Sequence, residues 1–159
     1  MVKIKYLVMD VDGTLTDGKI YISPSGEAMK AFNIKDGCGI HDVLIPAGIV
    51  PIIISGRKSE IVVCRAKELG ISHVYQGVID KVQCLREVAN NMSEVAYIGD
   101  DINDLSCIKV VSVEGGITAC PSDAVDKVKN EVDFVSNYKG GDGAVRDFIE
   151  YLVDVFNKQ

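Results

Sequence analysis

The stretch Ile4-Lys-Tyr-Leu-Val-Met-Asp-Val-Asp-Gly-Thr14 decides how the chain is read. Ile4, Tyr6, Leu7, Val8 and Met9 make a short β-prone run bounded by lysines, which predicts a buried parallel strand. Asp10 and Asp12 follow at once, and Gly13-Thr14 breaks the strand. Carboxylates two residues apart in an extended chain point the same way. Both can therefore project from the strand's carboxyl end, where open α/β sheets place their ligands. Alone, this could be no more than a turn rich in Asp and Gly; the rest of the chain decides against that.

Working outward, strand and helix signals alternate. Lys19 to Ser23 and Ala28 to Ile34 have strand character around the turn signal Pro24-Ser-Gly-Glu27, which predicts a β-hairpin. Gly37 and Gly39 precede an apolar segment, Ile40 to Ala47, expected to be a short helix closed by Gly48. Ile49 to Ile54 is the second core strand and ends at Ser55-Gly56-Arg57. Ser59 to Leu69 has the stripe of an amphipathic helix, with Gly70 as its stop. Val74-Tyr75 is a short strand and Ile79 to Ala89 a helix. Val95 to Ile98 is a third central strand, ending at Gly99-Asp100-Asp101. Helix, short strand and helix follow through Val135. Val145, Phe148, Ile149, Leu152 and Phe156 give a last helix its inward face. With no repeat, low-complexity stretch or linker, one domain over residues 1–159 is expected. Alternation of this kind implies a parallel sheet with right-handed crossovers, a Rossmann-like α/β layer fold.

Composition narrows the function classes. The 159 residues suffice for one sizeable core. A net charge of −6 argues against a general binder of nucleic acid or anionic membrane. No apolar run approaches the ~20 residues of a membrane span, and Met1 to Met9 lacks the apolar region and cleavage site of a signal peptide. The five cysteines (38, 64, 84, 107, 120) are scattered without CxxC spacing. They are expected to be thiols in a reducing cytoplasm rather than a disulfide frame or zinc site.

Three polar clusters fall at three strand ends: Asp10 with Asp12, Ser55-Gly56-Arg57, and Asp100-Asp101 with Asp104. Lys81 opens a helix between the second and third. In one parallel sheet these ends share an edge, so the clusters can converge. Carboxylates crowded together repel unless a cation neutralises them. An all-oxygen set suits a hard ion such as Mg²⁺, which takes one or two carboxylates together with substrate phosphate oxygens. A lysine, a serine hydroxyl and backbone N–H groups of Gly-containing turns suit phosphate, and a carboxylate can itself be the nucleophile. His41 and His73 lie in no cluster, so catalysis without histidine is expected.

DVDGT at 10–14, Ser55-Gly56 at a strand end, Lys81 and GDDIND at 99–104 resemble, in order and spacing, the four motifs of the haloacid dehalogenase-like (HAD) superfamily. That resemblance covers nearly the whole chain and implies a HAD fold. It implies Asp10 as nucleophile and Asp12 as general acid/base, with Ser55 and Lys81 holding the phosphoryl group. Mg²⁺ would be bound by Asp10, the backbone carbonyl of Asp12, and Asp100. Asp104 would support the metal site or orient Lys81, with Asp101 beside it. Thr14 would lie on the phosphate side or stabilise the turn.

Many members of this superfamily carry an inserted cap domain. Here only the hairpin of Lys19 to Ile34 fits between the first motif and the first helix, so no cap domain is expected and the site should be open. Either a macromolecular substrate or a lid from a neighbouring subunit follows; Tyr21, Ile22 and Phe32, costly to leave in water, favour the lid. The finer pattern, including residues 16–40, Arg57, Arg65 and GGDGAVR at 140–146, resembles the capless phosphatases of 3-deoxy-D-manno-octulosonate (KDO) 8-phosphate, a group typically homotetrameric. Thr14 departs from the valine usual there. The resemblance implies a cytoplasmic Mg²⁺-dependent phosphomonoesterase of lipopolysaccharide biosynthesis. Its substrate would be an acidic sugar phosphate bound by Thr14, Gly56, Arg57 and Arg65, with no nucleic-acid or membrane partner. Arginine forks suit a sugar carboxylate, and Gly140, Gly141 and Gly143 could present N–H groups to an anion or form a simple turn. Three alternatives stay open: a phosphatase for a nine-carbon sialic-acid-type 9-phosphate, a non-catalytic oligomerisation domain like that of acylneuraminate cytidylyltransferases, and a phosphotransferase or mutase.

Overall fold

The computed structural model describes residues 3–158. Its strands in chain order are β1 (Tyr6–Met9), β2 (Tyr21–Ser23), β3 (Gly26–Met29), β4 (Val50–Ile54), β5 (His73–Tyr75), β6 (Val95–Ile98), β7 (Ile117–Cys120) and β8 (Phe134–Val135). The helices are α1 (Ile34–Cys38), α2 (Glu60–Leu69), α3 (Lys81–Val88), α4 (Leu105–Val113), α5 (Asp126–Lys129) and α6 (Ala144–Asp154). Six strands form one sheet in the order β5-β4-β1-β6-β7-β8, every pair parallel. β2 and β3 pair separately as an antiparallel hairpin. Residues 1, 2 and 159 of the single domain expected over 1–159 lie outside the described residues.

β1 lies between β4 and β6 because its side chains are apolar on both faces. Leu7 and Met9 point into a core with Leu44, Val62, Phe148 and Leu152, under α1, α2 and α6. Val8 points the other way, into a core with Ile52, Tyr97, Leu85, Ile108 and Val128, under α3, α4 and α5. Covering both faces is what makes the strands continuous apolar runs rather than alternating ones. Among the described residues no inserted domain covers the carboxyl edge, and no helix is long and apolar enough to cross a membrane.

Several boundaries differ from the expectations. The second hairpin strand ends at Met29, and the helix expected over Ile40 to Ala47 starts earlier, at Ile34. Asn33 starts it by accepting a hydrogen bond from Lys35 N at 2.8 Å. The helix then widens over Gly39–Leu44, with Ile45 N bonding Ile40 O at 3.1 Å. Gly37 does not break it, because packing overrides propensity there: a β-carbon at Gly37 would collide with the Arg65 guanidinium. α3 begins at Lys81 rather than Ile79, since Asp80 caps it through Gln83 N at 3.0 Å. α6 stops at Asp154, and Phe156 packs on the core from a single turn beyond.

Candidate active site

The register brings the motif-bearing strand ends level. Met9 pairs with both Ile53 and Ile98, so Asp10, Ser55 and Asp100 emerge along one edge at the point where the sheet order reverses. The chain then turns sharply: Thr14, Leu15 and Thr16 all donate their N–H groups to Val11 O. Gly13 has φ +88°, and a β-carbon there would strike the Asp100 carboxylate, so only glycine lets the two loops approach. Asp10, Asp12, Ser55, Gly56, Arg57, Asp100 and Asp101 line one open cleft of 260 Å³. Lys81 faces an adjoining hollow of 390 Å³ that shares Gly56 and Asn103.

Lys81, only 5% exposed, ties the first and last motifs together. Its Nζ lies 3.0 Å from Asp10 Oδ1 and 3.1 Å from Asp104 Oδ1. Burial works against the ammonium, yet Asp10 and Asp104 together hold its pKa above the ordinary lysine value. The fully buried Asp104 also accepts Tyr97 OH at 2.7 Å on Oδ1, and Asp100 N and Asp101 N at 3.0 and 3.3 Å on Oδ2. Both its oxygens are thus committed to protein donors.

Asp10, Asp100 and Asp104 offer oxygens within 4.8 Å of one another. Burial, then the Asp104 charge, pushes the Asp10 pKa up to about 6 against the pull of Lys81. Burial, then the Asp10 charge, pushes Asp100 up to about 8. Carboxyls crowded this way ionise together only with a cation between them. The donors left free are all oxygen, as a hard divalent ion requires. Of the three clustered carboxylates, Asp10 and Asp100 are the ones with an oxygen left for such an ion, whereas both oxygens of Asp104 are taken.

Other candidates fall in different places. Thr14 is buried behind the cleft and gives its hydroxyl to Asp100 Oδ1 at 2.9 Å, so it faces a carboxylate and not the cleft. Asp101 Oδ1 caps the following turn through Ile102 N at 2.7 Å. Half-exposed Arg57 sets Nε 3.7 Å from Asp12 Oδ2. Arg65 does not reach the cleft: its guanidinium lies 5.7 Å over the Phe32 ring and pairs with Glu68 at 2.9 Å. Several N–H groups of the loop from Gly140 to Arg146 are already taken within the chain. Arg146 N goes to the buried Asp36 at 3.0 Å, Gly140 N to Asp123 at 3.0 Å, and Gly141 N to Thr14 O at 3.2 Å.

Sequence reasoning missed Lys30, Glu27 and Ser59. Lys30 is buried against Asp12, with Nζ 2.5 Å from Oδ1, and Glu27 sits 2.8 Å from the same ammonium. A hairpin lysine carries no motif; only the fold lays it on the catalytic loop. Tyr97 is expected from the sequence only as part of the strand Val95 to Ile98. Its one polar atom inside an otherwise apolar run, VAYI, was the available signal, since a buried phenol needs a partner.

No protein-family model matches the chain. It is 38% identical over 154 residues to the curated 3-deoxy-D-manno-octulosonate 8-phosphate phosphatase KdsC of Yersinia pestis, covering 94% of this chain and 80% of that protein. Identity to the protein of the same description in Escherichia coli K12 is 39%, over 94% of this chain and 79% of the relative. Among solved structures, the phosphatase of Moraxella catarrhalis, in complex with magnesium ion, phosphate ion and KDO, superposes with TM-score 0.88 at 39% identity. The match covers 95% of this chain and 86% of that one. The cobalt-bound phosphatase of Haemophilus influenzae superposes with TM-score 0.87 at 36% identity, over 96% and 88% of the two chains.

Proposed function

The chain belongs to the 3-deoxy-D-manno-octulosonate 8-phosphate phosphatases of the HAD superfamily, and from that membership we propose that it is a Mg²⁺-dependent phosphomonoesterase releasing phosphate from this eight-carbon sugar acid. The observation that carries the reading is the meeting of Lys81, Asp10 and Asp100 at the carboxyl edge of the sheet, beside Ser55. The nine-carbon, non-catalytic and phosphotransfer alternatives have no comparable support.

Asp10 attacks phosphorus in line, and the bond to the sugar oxygen breaks. Asp12 gives its proton to that departing oxygen. Asp12, now ionised, takes a proton from water as the water attacks the aspartyl-phosphate, which frees phosphate and restores Asp10. Lys81 holds Asp10 Oδ1 before attack and offsets charge on the transferring group. Asp104, itself held by the Tyr97 hydroxyl, fixes the lysine, and Ser55 offers its hydroxyl to a phosphoryl oxygen. Asp10, Asp100 and the Asp12 carbonyl would hold Mg²⁺, which would supply charge neutralisation for the phosphoryl oxygens.

Arg57, at the cleft, is the arginine placed to meet the sugar carboxylate. Arg65 and the loop from Gly140 to Arg146 serve packing in this chain, with Arg65 over Phe32 and the loop over the catalytic turn. The remaining wall is assigned to a neighbouring subunit in a homotetramer. The cleft is open, and among the described residues no inserted domain covers it. The hairpin also exposes Ile22 and Met29.

The test is phosphate release from KDO 8-phosphate by purified protein with Mg²⁺, with EDTA, and after Asp10→Asn. Turnover should need the metal and vanish in the variant, whose circular dichroism stays that of the parent. Retention of activity by Asp10→Asn within about tenfold would sink the covalent route.

A further inference from the structure

Lys30 lies outside all four motifs, yet it is among the most enclosed charges in the protein, its side chain 3% exposed. A buried ammonium persists only when paired. Here it has two partners, Asp12 Oδ1 at 2.5 Å and Glu27 Oε1 at 2.8 Å. Glu27 Oε2 accepts the Ser59 hydroxyl at 2.5 Å. The Gln76 side chain in turn brackets the Ser59 backbone, accepting from Ser59 N at 2.8 Å and donating to Ser59 O at 3.2 Å. A continuous set of hydrogen bonds thus runs from the start of α2 through the hairpin to the catalytic loop. No other side chain among the described residues donates a hydrogen bond to the Asp12 carboxylate, and Arg57 Nε stays 3.7 Å from Oδ2.

Asp12 serves two partners in succession, a departing sugar oxygen and then a water, and it stands at an open cleft where its side chain would otherwise turn freely. We infer that Lys30 is a positioning residue that holds Asp12 Oδ1 from the hairpin side, leaving the other oxygen aimed at the cleft through both half-reactions. The motif residues supply the reacting groups, and the hairpin supplies the orientation of one of them. The hairpin is therefore part of the chemistry as well as of the protein's outer surface.

This rests on the phosphatase reading, and one experiment separates the two. p-Nitrophenolate departs without a proton, so the first half-reaction does not need Asp12, whereas the attack of water does. Stopped-flow traces of p-nitrophenyl phosphate with Mg²⁺ would be recorded for the parent, Lys30→Met and Lys30→Arg. Lys30→Met should give a burst near one product per subunit, larger than the parent's, followed by steady turnover slower by about 100-fold, the cost of a misplaced reacting group. With KDO 8-phosphate the burst should be absent, because that oxygen leaves only with its proton. Lys30→Arg, which keeps a cation, should recover part of the loss. A folded Lys30→Met protein within about threefold of the parent, or equally slowed on both substrates without a burst, overturns the inference. If Lys30→Met does not fold, Glu27→Gln replaces it: slower steady turnover with a burst supports the inference, and parent-like traces overturn it. A parent without turnover fails the phosphatase reading itself; a parent that turns over beside a burst-free variant fails Lys30 alone.

Discussion

Thr14 and Asp100, 86 positions apart in sequence, are joined by a hydrogen bond in which the threonine hydroxyl donates to Asp100 Oδ1 at 2.9 Å. The bond is partly buried and opposes the upward push that burial and Asp10 exert on the Asp100 pKa. It ties the catalytic loop to a carboxylate proposed to hold the metal. Residues that orient such ligands set affinity as well as geometry.

Thr14→Val keeps the shape and removes the donor. The fold should be unchanged, while Mg²⁺ binds about fivefold more weakly, the equivalent of one net hydrogen bond of about 1 kcal/mol. Isothermal titration with Mg²⁺ at fixed pH, alongside circular dichroism, checks this. Unaltered affinity would detach Thr14 from the metal site.

The raised carboxyls predict how metal binding depends on pH. In the metal-free folded protein Asp10 titrates at about 6 and Asp100 at about 8, against 3.8 for an ordinary aspartate. The folded state therefore holds more protons than the unfolded one between roughly pH 4 and pH 8, and these two groups withdraw stability as pH rises through that window. A divalent cation must displace the same protons, so it binds more tightly towards pH 8. The rise in Tm caused by saturating Mg²⁺ should be small at pH 5 and largest at pH 8. A rise independent of pH would exclude Asp10 and Asp100 as the groups that bind the metal.

A β-carbon on Gly140 would collide with the Gly13 carbonyl, and one on Gly141 with the Thr16 backbone. The glycine loop before α6 is thus the bed on which the catalytic turn rests. Gly140→Ala should push that turn off its position, lowering Tm by roughly 4–8 °C for a loss near 2 kcal/mol. Phosphate release should fall more than tenfold, since small displacements of reacting groups are costly. Differential scanning fluorimetry and initial rates test both parts, and a variant with parental rates would show the contact to be dispensable.

Ile22 is 71% exposed on the hairpin, and Met29 is 56% exposed beside it. A charge there should break a subunit contact without touching the cleft. Ile22→Glu is expected to lower the mass seen by light scattering from that of four subunits. The KM for the sugar acid should rise, while p-nitrophenyl phosphate turnover stays near the parent's. A parent that is already monomeric at micromolar concentration would remove the proposed shared wall.

The alternating apolar runs and the polar residues ending three of them were enough to predict a parallel sheet with a site on its carboxyl edge. Backbone periodicity and strand polarity are local properties, and they leave the strand ends little freedom once the sheet is parallel. Asp10, Ser55 and Asp100 stand out for that reason, and Lys81 through the motif resemblance that it completes. Helix starts set by distant partners are not legible: the helix begins at Ile34, ahead of Gly37, and the Arg65 guanidinium packs against that glycine. The same holds for the side chains that serve the site without lying in a motif. Whether Arg65 reaches the cleft, whether the glycine loop keeps a free donor, and which cation meets Asp12 all depend on contacts between segments far apart in the chain. A buried polar group must take whichever partner the packing brings to it, and no spacing in the sequence specifies that choice. The tertiary structure alone sent Arg65 to Phe32, gave the N–H of Arg146 to Asp36, and set Lys30 against Asp12.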